Sequence, residues 1–304
     1  MLTDLSIQMI TWNVAMEQCQ SDLIQLLGIE TTGANGHQLA DIYAIGLQEV
    51  PFETINTEIP TEHTWAKGFS KVLDQVGYSH LERAQMNGII LLVYAKSNKL
   101  SHFTSVQTDV TNIGRPEGSK GAVSVRLTVN GVSVCIVNSH FHPHDEYLEQ
   151  RIANYNDIVD RQNILSHDYV LWMGDLNFRI DDMTADEVHD FVLNRRQSGD
   201  SFADLLEKDQ LTRVRREGRV FREFSEAVPT FAPTYKFVPN SNEYDYKGRE
   251  RSRKPAFTDR VLYRLKPDTN ATQQLDLKQV SYKSHTQYIQ SDHKPVSALF
   301  SLKL

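Results

Sequence analysis

The feature that most constrains this chain is a series of short apolar runs, several of which stop at an amide, a carboxylate or an imidazole. They read LSIQMITWNV (5–14), DIYAIGLQEV (41–50), GIILLVYA (88–95), AVSVRLTV (122–129), VSVCIVNSH (132–140), YVLWMGDLN (169–177), FTDRVLYRL (257–265) and VSALFSLKL (296–304). Their length, alternation and β-branched content predict strands. Asn130-Gly131, between two of the runs, predicts a tight hairpin. Helical spacing predicts a helix over 16–28, closed near Gly28, and another over 145–166. A third opens at MTADEVHDFVLNRR, where Thr184 and Glu187 have the spacing of a capping box. Hairpins mixed with helices argue for an α/β fold with mixed β-sheets and helical layers, not a purely parallel wheel.

The string LWMGDLNFRI (171–180) sharpens the question of function. Strand alternation sends residues i and i+2 to one face, so Asp175 and Asn177 would point at one object. A glycine followed by Asx residues also suits an ordinary turn. Other run ends shift the balance towards a site. Asn13 and Glu49 end two runs, Asn138, His140 and His144 lie at the end of a third, and Asp259, Asp292 and His293 flank the last two. Catalytic groups gather where strand ends meet in layered folds. If these residues converge, the chain is a single domain over 1–304.

Carboxylate and amide oxygens without a thiolate select Mg²⁺ over Zn²⁺. The set suits hydrolysis of a phosphate ester, which needs a base for water and charge to neutralise the phosphoryl oxygens. An Asp-x-Asn pair can supply the base and an orienting amide, and a histidine beside an aspartate can supply the charge. His140, His142 and His144 could instead suggest zinc, but Pro143 breaks the strand geometry between them and no further ligand is evident.

Bulk properties exclude some classes. The formal net charge of −7 argues against a nucleic-acid coat protein. Two cysteines, Cys19 and Cys135, are no disulfide framework and suit a reducing compartment. No signal peptide, lipidation motif or apolar stretch of membrane-spanning length stands out, so a cytoplasmic protein is expected. Two basic segments run against the net charge, KGRERSRK (247–254) and RVRREGRVFR (213–222). For the second, two readings stay open: a solvated helix face, or a patch facing an anionic membrane.

The motifs together carry a family resemblance. LWMGDLNFR resembles the first signature of the inositol polyphosphate 5-phosphatases, and RKPAFTDRVL resembles the second. TWNV, LQEV, SKGAV, NSHFHPH, PTYKF and SDHKPV match further blocks in the family's order, from about residue 7 to about residue 300. The resemblance implies the endonuclease/exonuclease/phosphatase fold, a four-layer α/β sandwich of two mixed sheets packed face to face with helices outside. It implies Mg²⁺-dependent removal of the 5-phosphate from inositol phosphates or phosphoinositide head groups, in the cytoplasm or peripherally at anionic membranes. Asn13 and Glu49 would form the magnesium site, with Asp292 nearby. Asp175 would activate water, Asn177 would orient it, and His140 would contact phosphate. His293, oriented by Asp259, would stabilise the scissile group. Tyr235, Lys236, Arg251 and Arg253 would hold the 4-phosphate, with Lys120 adding to that rim.

Three departures stand out: Phe257 where the signature has Trp or Tyr, Ser119 where Asn is usual, and His142-Pro143 where small residues are usual. A nuclease or sphingomyelinase of the same fold would share the Asn, Glu, Asp-x-Asn and Asp-His set. A phosphoinositide-binding module without turnover is the alternative from another class.

Overall fold

The computed structural model of the chain describes residues 2–20, 22–29, 39–51, 64–113, 119–246, 253–267 and 274–304. In chain order its main elements are β1 (Asp4–Asn13), β2 (Ile42–Gln48), α1 (Thr64–Gln75), β3 (Tyr78–Met86), β4 (Ile89–Lys96), β5 (Phe103–Asn112), β6 (Gly121–Val129), β7 (Val132–His140), α2 (Leu148–Arg161), β8 (Tyr169–Asp175), α3 (Ala185–Ser198), α4 (Ala203–Leu206), α5 (Gln210–Arg216), β9 (Asp259–Leu265), β10 (Asp276–Ser284) and β11 (Val296–Lys303). They form a six-stranded sheet, β10-β11-β1-β2-β4-β3, and a five-stranded sheet, β5-β6-β7-β8-β9. Each is mixed, as expected: β1–β2 and β7–β8 are parallel and their neighbours antiparallel.

Strand alternation stacks the sheets. Leu5, Ile7 and Met9 of β1 and Ile42 and Ala44 of β2 share one buried cluster with Ile136 of β7, Leu171 and Met173 of β8, and Val261 of β9. These are i, i+2 sets, so the two sheets face each other across them. The opposite sets face outward. Ile10, Trp12, Tyr43 and Ile45 pack with Trp65, Phe69 and Leu73 of α1. Val137, Val170, Trp172 and Leu262 pack with Ile152, Tyr155 and Ile158 of α2 and with Val214 of α5. Both faces of the central strands are therefore apolar, which is why their sequences run nearly unbroken. Each large side chain so buried contributes roughly 1.5–3 kcal/mol.

Some local expectations hold. Val129 pairs with Val132 across Asn130-Gly131, and both turn residues have positive φ, 51° and 83°. Thr184 and Glu187 form the capping box of α3. The helix expected over 16–28 is absent from the described residues of that segment, which instead form a turn near 24–28. Ala15 and Met16 lie at positive φ, so no helix propagates from them. Leu23, Leu26 and Leu27 still pack on Trp12 and Tyr43, which accounts for their apolar spacing.

No described helix is long and apolar enough to cross a membrane. The arginine run falls on α5 and the turn after it. Arg213 pairs with Asp181 (2.6 Å), Arg215 with Glu226 (3.3 Å), Arg216 with Glu207 (2.5 Å) and Arg219 with Glu149 (2.6 Å). Most of that charge is neutralised within the chain, which favours the solvated helix face over a membrane-facing patch.

Candidate active site

The site grows out of the inner faces of the two sheets. Beyond Met9 on β1 the same face carries Thr11 and then Asn13, and beyond Met173 on β8 it carries Asp175. On β7 that face carries Asn138 and His140. A buried polar layer marks the change from core to site. Gln48 Nε2 donates to Asn138 Oδ1 (2.6 Å) and Thr11 Oγ1 (3.1 Å), and Asn138 Nδ2 donates to the carbonyls of Leu47 and Ile90.

Register aligns the first catalytic candidates. His140 lies beside Asp175, and Asp175 beside Asp259, in one row across β7, β8 and β9. Gly174 makes that row possible. Its φ is 151°, and a Cβ there would sit 2.0 Å from the Ser139 carbonyl oxygen. The other sheet joins through Asn13, whose Nδ2 donates to Asp175 Oδ2 (3.0 Å).

Asp175 is buried, and its Oδ1 accepts from the Asn177 amide (3.1 Å). Its Oδ2 lies 3.8 Å from His293 Nε2. On the far side of that ring, Nδ1 is 2.9 Å from Asp259 Oδ2. Asp259 is held in turn by the hydroxyls of Thr234 (2.6 Å) and Thr258 (3.0 Å). Asp175, His293 and Asp259 place ligand-type atoms within 4.8 Å of one another. With Asp259 spent on two hydroxyls and the imidazole, the arrangement is an acid–imidazole–acid chain, not a metal cage. Burial alone would lower the His293 pKa, but Asp259 and Asp175 outweigh it and push it up to about 10. Burial likewise opposes the Asp175 charge, yet the His293 cation holds its carboxyl well below the usual carboxylate range.

Asn177, at φ 55°, donates from Nδ2 to the Phe141 carbonyl (3.1 Å), while its Oδ1 accepts from Arg179. Arg179 also lies over the Tyr235 ring (4.8 Å), which packs on His293 (4.5 Å). Lys236 Nζ is 3.4 Å from Asp292 Oδ2, so the carboxylate that the resemblance sets near magnesium is paired with the lysine that it sets at the 4-phosphate. Arg253 donates to His144 Nδ1 (3.1 Å). Arg251 lies outside the described residues.

Lys120, which the resemblance adds to the 4-phosphate rim, contacts His140. Gly121 pairs with His140, so Lys120 reaches His140, with Nζ 2.7 Å from Nε2. Asp175 Oδ2 also approaches that nitrogen, at 3.3 Å. An ammonium can only donate, so the shorter contact makes Nε2 an acceptor. Burial, and then the Lys120 charge, lower the His140 pKa and keep the ring neutral. Burial also pulls the Lys120 ammonium below the usual lysine range. The three histidines of NSHFHPH turn to different partners, His140 to Lys120, His142 to Asn154 and His144 to Arg253, and do not converge on a zinc site.

Sequence reading passed over Thr234, Thr258, Ser291 and Arg179. Arg179 and Thr258 stand inside the two signature strings, and Thr234 precedes Tyr235 in PTYKF. Ser291 accepts from the His293 amide (3.1 Å) and donates to the Asn13 carbonyl (2.6 Å), a role that only the folded chain reveals.

Residues 10–299 match the model of Endonuclease/Exonuclease/phosphatase family 2. Inositol polyphosphate 5-phosphatase K of Mus musculus is 36% identical over 99% of this chain and 66% of its own length. Phosphatidylinositol 4,5-bisphosphate 5-phosphatase A of Rattus norvegicus is 36% identical over 98% of this chain, which spans 31% of that relative. Among solved structures, the inositol polyphosphate 5-phosphatase domain of SPsynaptojanin, in complex with inositol (1,4)-bisphosphate and calcium ion, superposes with a TM-score of 0.82 at 30% identity, covering 99% of this chain and 86% of that one. A Cimex nitrophorin, solved as its ferrous NO complex, superposes with a TM-score of 0.78 at 25% identity over 100% of both chains.

Proposed function

The chain belongs to the endonuclease/exonuclease/phosphatase family and, within it, to the inositol polyphosphate 5-phosphatases, and on that footing we propose that it is a Mg²⁺-dependent phosphoric monoester hydrolase. Its substrates are phosphoinositides such as phosphatidylinositol 4,5-bisphosphate and the 3,4,5-trisphosphate lipid, or the matching soluble inositol polyphosphates, and it removes their 5-phosphate. The observation that carries this reading is the unbroken chain from Asn13 through Asp175 and His293 to Asp259.

Asp175 is the base and His293 the cation that meets the phosphoryl oxygens. In the free protein Asp175 is a weak base, because His293 stabilises its charge. A phosphoryl group beside His293 takes over that cation and returns basicity to Asp175. Water then gives its proton to Asp175 as its oxygen bonds to phosphorus. The ester P–O bond breaks, the departing inositol oxygen takes a proton from a second water, and the hydroxide so formed takes the proton held by Asp175, which restores the carboxylate. Asp259 and its threonines hold the imidazole in orientation. Asn177, fixed by Phe141 and Arg179, aligns the water. Neutral His140 carries the Lys120 ammonium, and both face the phosphate.

Glu49 and Asn13 fit a hard divalent cation. The Glu49 carboxylate is 40% exposed, and its nearest charged or titratable partner among the described residues is His140 Nε2 at 3.8 Å. The oxygens nearby are carboxylate and amide with no thiolate, a set that selects Mg²⁺. Bound there, the cation would draw charge from the phosphoryl and leaving oxygens. Tyr235, Lys236 and Arg253, with Arg251, hold the neighbouring phosphate, and Asp292 steadies Lys236.

The test is phosphate release with Mg²⁺ from inositol 1,4,5-trisphosphate, short-chain phosphatidylinositol 4,5-bisphosphate and the 3,4,5-trisphosphate lipid, beside an EDTA control and a DNA-nicking assay. EDTA-sensitive release is expected. Nicking without release would move the chain to nuclease chemistry, and binding without release to a recognition module.

A further inference from the structure

The helical side of the five-stranded sheet carries a cavity that this chemistry does not use. It measures about 430 Å³ and lies between α4, α5 and the segment 221–229, with Arg260 in its wall. That volume falls within the range of small-ligand sites. Leu206, Phe221, Phe224 and Pro229 give it an apolar lining, and Val228, also lining it, is 65% exposed.

Its charge is biased. Four arginines and two glutamates line it. Arg260 is spent on Asp209 and Glu226, Arg215 on Glu226 and the Phe224 carbonyl, and Arg216 on Glu207. The fourth, Arg222, is exposed and has no hydrogen bond or ion pair among the described residues. One unspent guanidinium beside aromatic walls is complementary to one anionic head on an apolar body. A polyphosphate would demand several free cations, which the cavity lacks.

The cavity also backs onto the catalytic strands. Phe221 and Phe224 pack edge-on against Trp172, with centroids 5.0 Å and 6.1 Å away. Trp172 Nε1 donates to Ser139 Oγ (2.9 Å), next to His140.

We propose that this cavity is a second binding site, separate from the catalytic one, for an amphiphile with one anionic head: an aliphatic body with a single carboxylate or phosphate. A dissolved single-chain amphiphile and one presented by a bilayer share that chemistry, and the arms of the experiment separate them. Calorimetric titration of the full chain with octyl phosphate, below its micelle concentration, should show one saturable site. Octyl glucoside (no charge) and inorganic phosphate (no body) should each bind at least about tenfold more weakly, and Arg222→Glu should weaken octyl phosphate by about tenfold or more. Arg222 is exposed and outside the catalytic machinery, so an unchanged thermal unfolding curve shows that the variant folds. Co-sedimentation with phosphatidylcholine vesicles containing oleate, lost on Arg222→Glu, would extend the site to membrane-borne ligand. The proposal is overturned by no saturable binding of octyl phosphate, by unaltered binding to Arg222→Glu, or by displacement with inositol 1,4-bisphosphate, which would move the ligand to the catalytic site. Binding to anionic vesicles with none to the monomer would also overturn it, since that is surface contact and not occupancy.

Discussion

Asp175 and His293 form a buried charge pair whose value depends on protonation. Asp175→Asn keeps the shape and removes the proposed base, so kcat should fall about 10²–10⁴-fold with KM little changed, as steady-state kinetics would show. The pH profile carries the second prediction. The His293 pKa is raised to about 10, so its cation persists through neutral pH. Activity of the free enzyme should therefore fall as pH rises through about 10, not near the unperturbed histidine value of about 6.5. Stability follows the same sign. A raised folded pKa gives a contribution fully present below about 6.5 and lost as pH climbs towards 10; urea midpoints across that window, in the wild type and in His293→Gln, would read it. On the substrate side, Lys236→Ala should raise KM about 10–100-fold for inositol 1,4,5-trisphosphate through loss of a charge-assisted contact, with kcat largely kept. Asp175 stood out in the sequence because it ends a strand within a long signature, whereas His293 and Lys236 stood out through the short blocks SDHKPV and PTYKF. Lys120 was named from its motif, but its contact with His140 was not legible, because it comes from the pairing of Gly121 with His140 in the β6–β7 hairpin.

Strands legible from sequence are those buried on both faces or carrying a signature. β3, β5 and β10 went unread for a common reason: each is a sheet edge with few buried positions or, in β10, none. Edge strands carry polar residues that blunt further pairing, and this erases the apolar run. α1 was also missed, although Trp65, Phe69 and Leu73 share a buried face, one helical turn apart. The opposite error fell on 16–28, where leucines at helical spacing pack without forming a helix. Two contacts between elements carry testable weight. Gly174→Ala would drive a methyl into the Ser139 carbonyl where β8 meets β7. It should cost about 3 kcal/mol or more by denaturant unfolding, and activity with it. Arg260 of β9 is buried between Asp209 (2.9 Å) and Glu226 (2.8 Å). Arg260→Met would leave the buried Asp209 without its cation and Glu226 with Arg215 alone, and should lower stability by about 3–5 kcal/mol.

Fold and chemistry separate across the whole chain. The same architecture serves a 5-phosphatase domain and a nitrophorin, with close TM-scores of 0.82 and 0.78. The functional reading therefore rests on which groups the two sheets present where their inner faces open, not on the sheets themselves. The mixed, face-to-face sheets were implied by the hairpin signal and the family resemblance, whereas the pairing of the arginine run with carboxylates depends on long-range packing that no local pattern encodes. The most direct test of the account is hydrolysis of inositol 1,4,5-trisphosphate in heavy-oxygen water with Mg²⁺, followed by phosphorus NMR. It predicts inositol 1,4-bisphosphate as product, the heavy oxygen in the released phosphate alone, and no product from Asp175→Asn on the same timescale. Loss of the 1- or 4-phosphate, heavy oxygen on the inositol ring, or full activity in Asp175→Asn would contradict it.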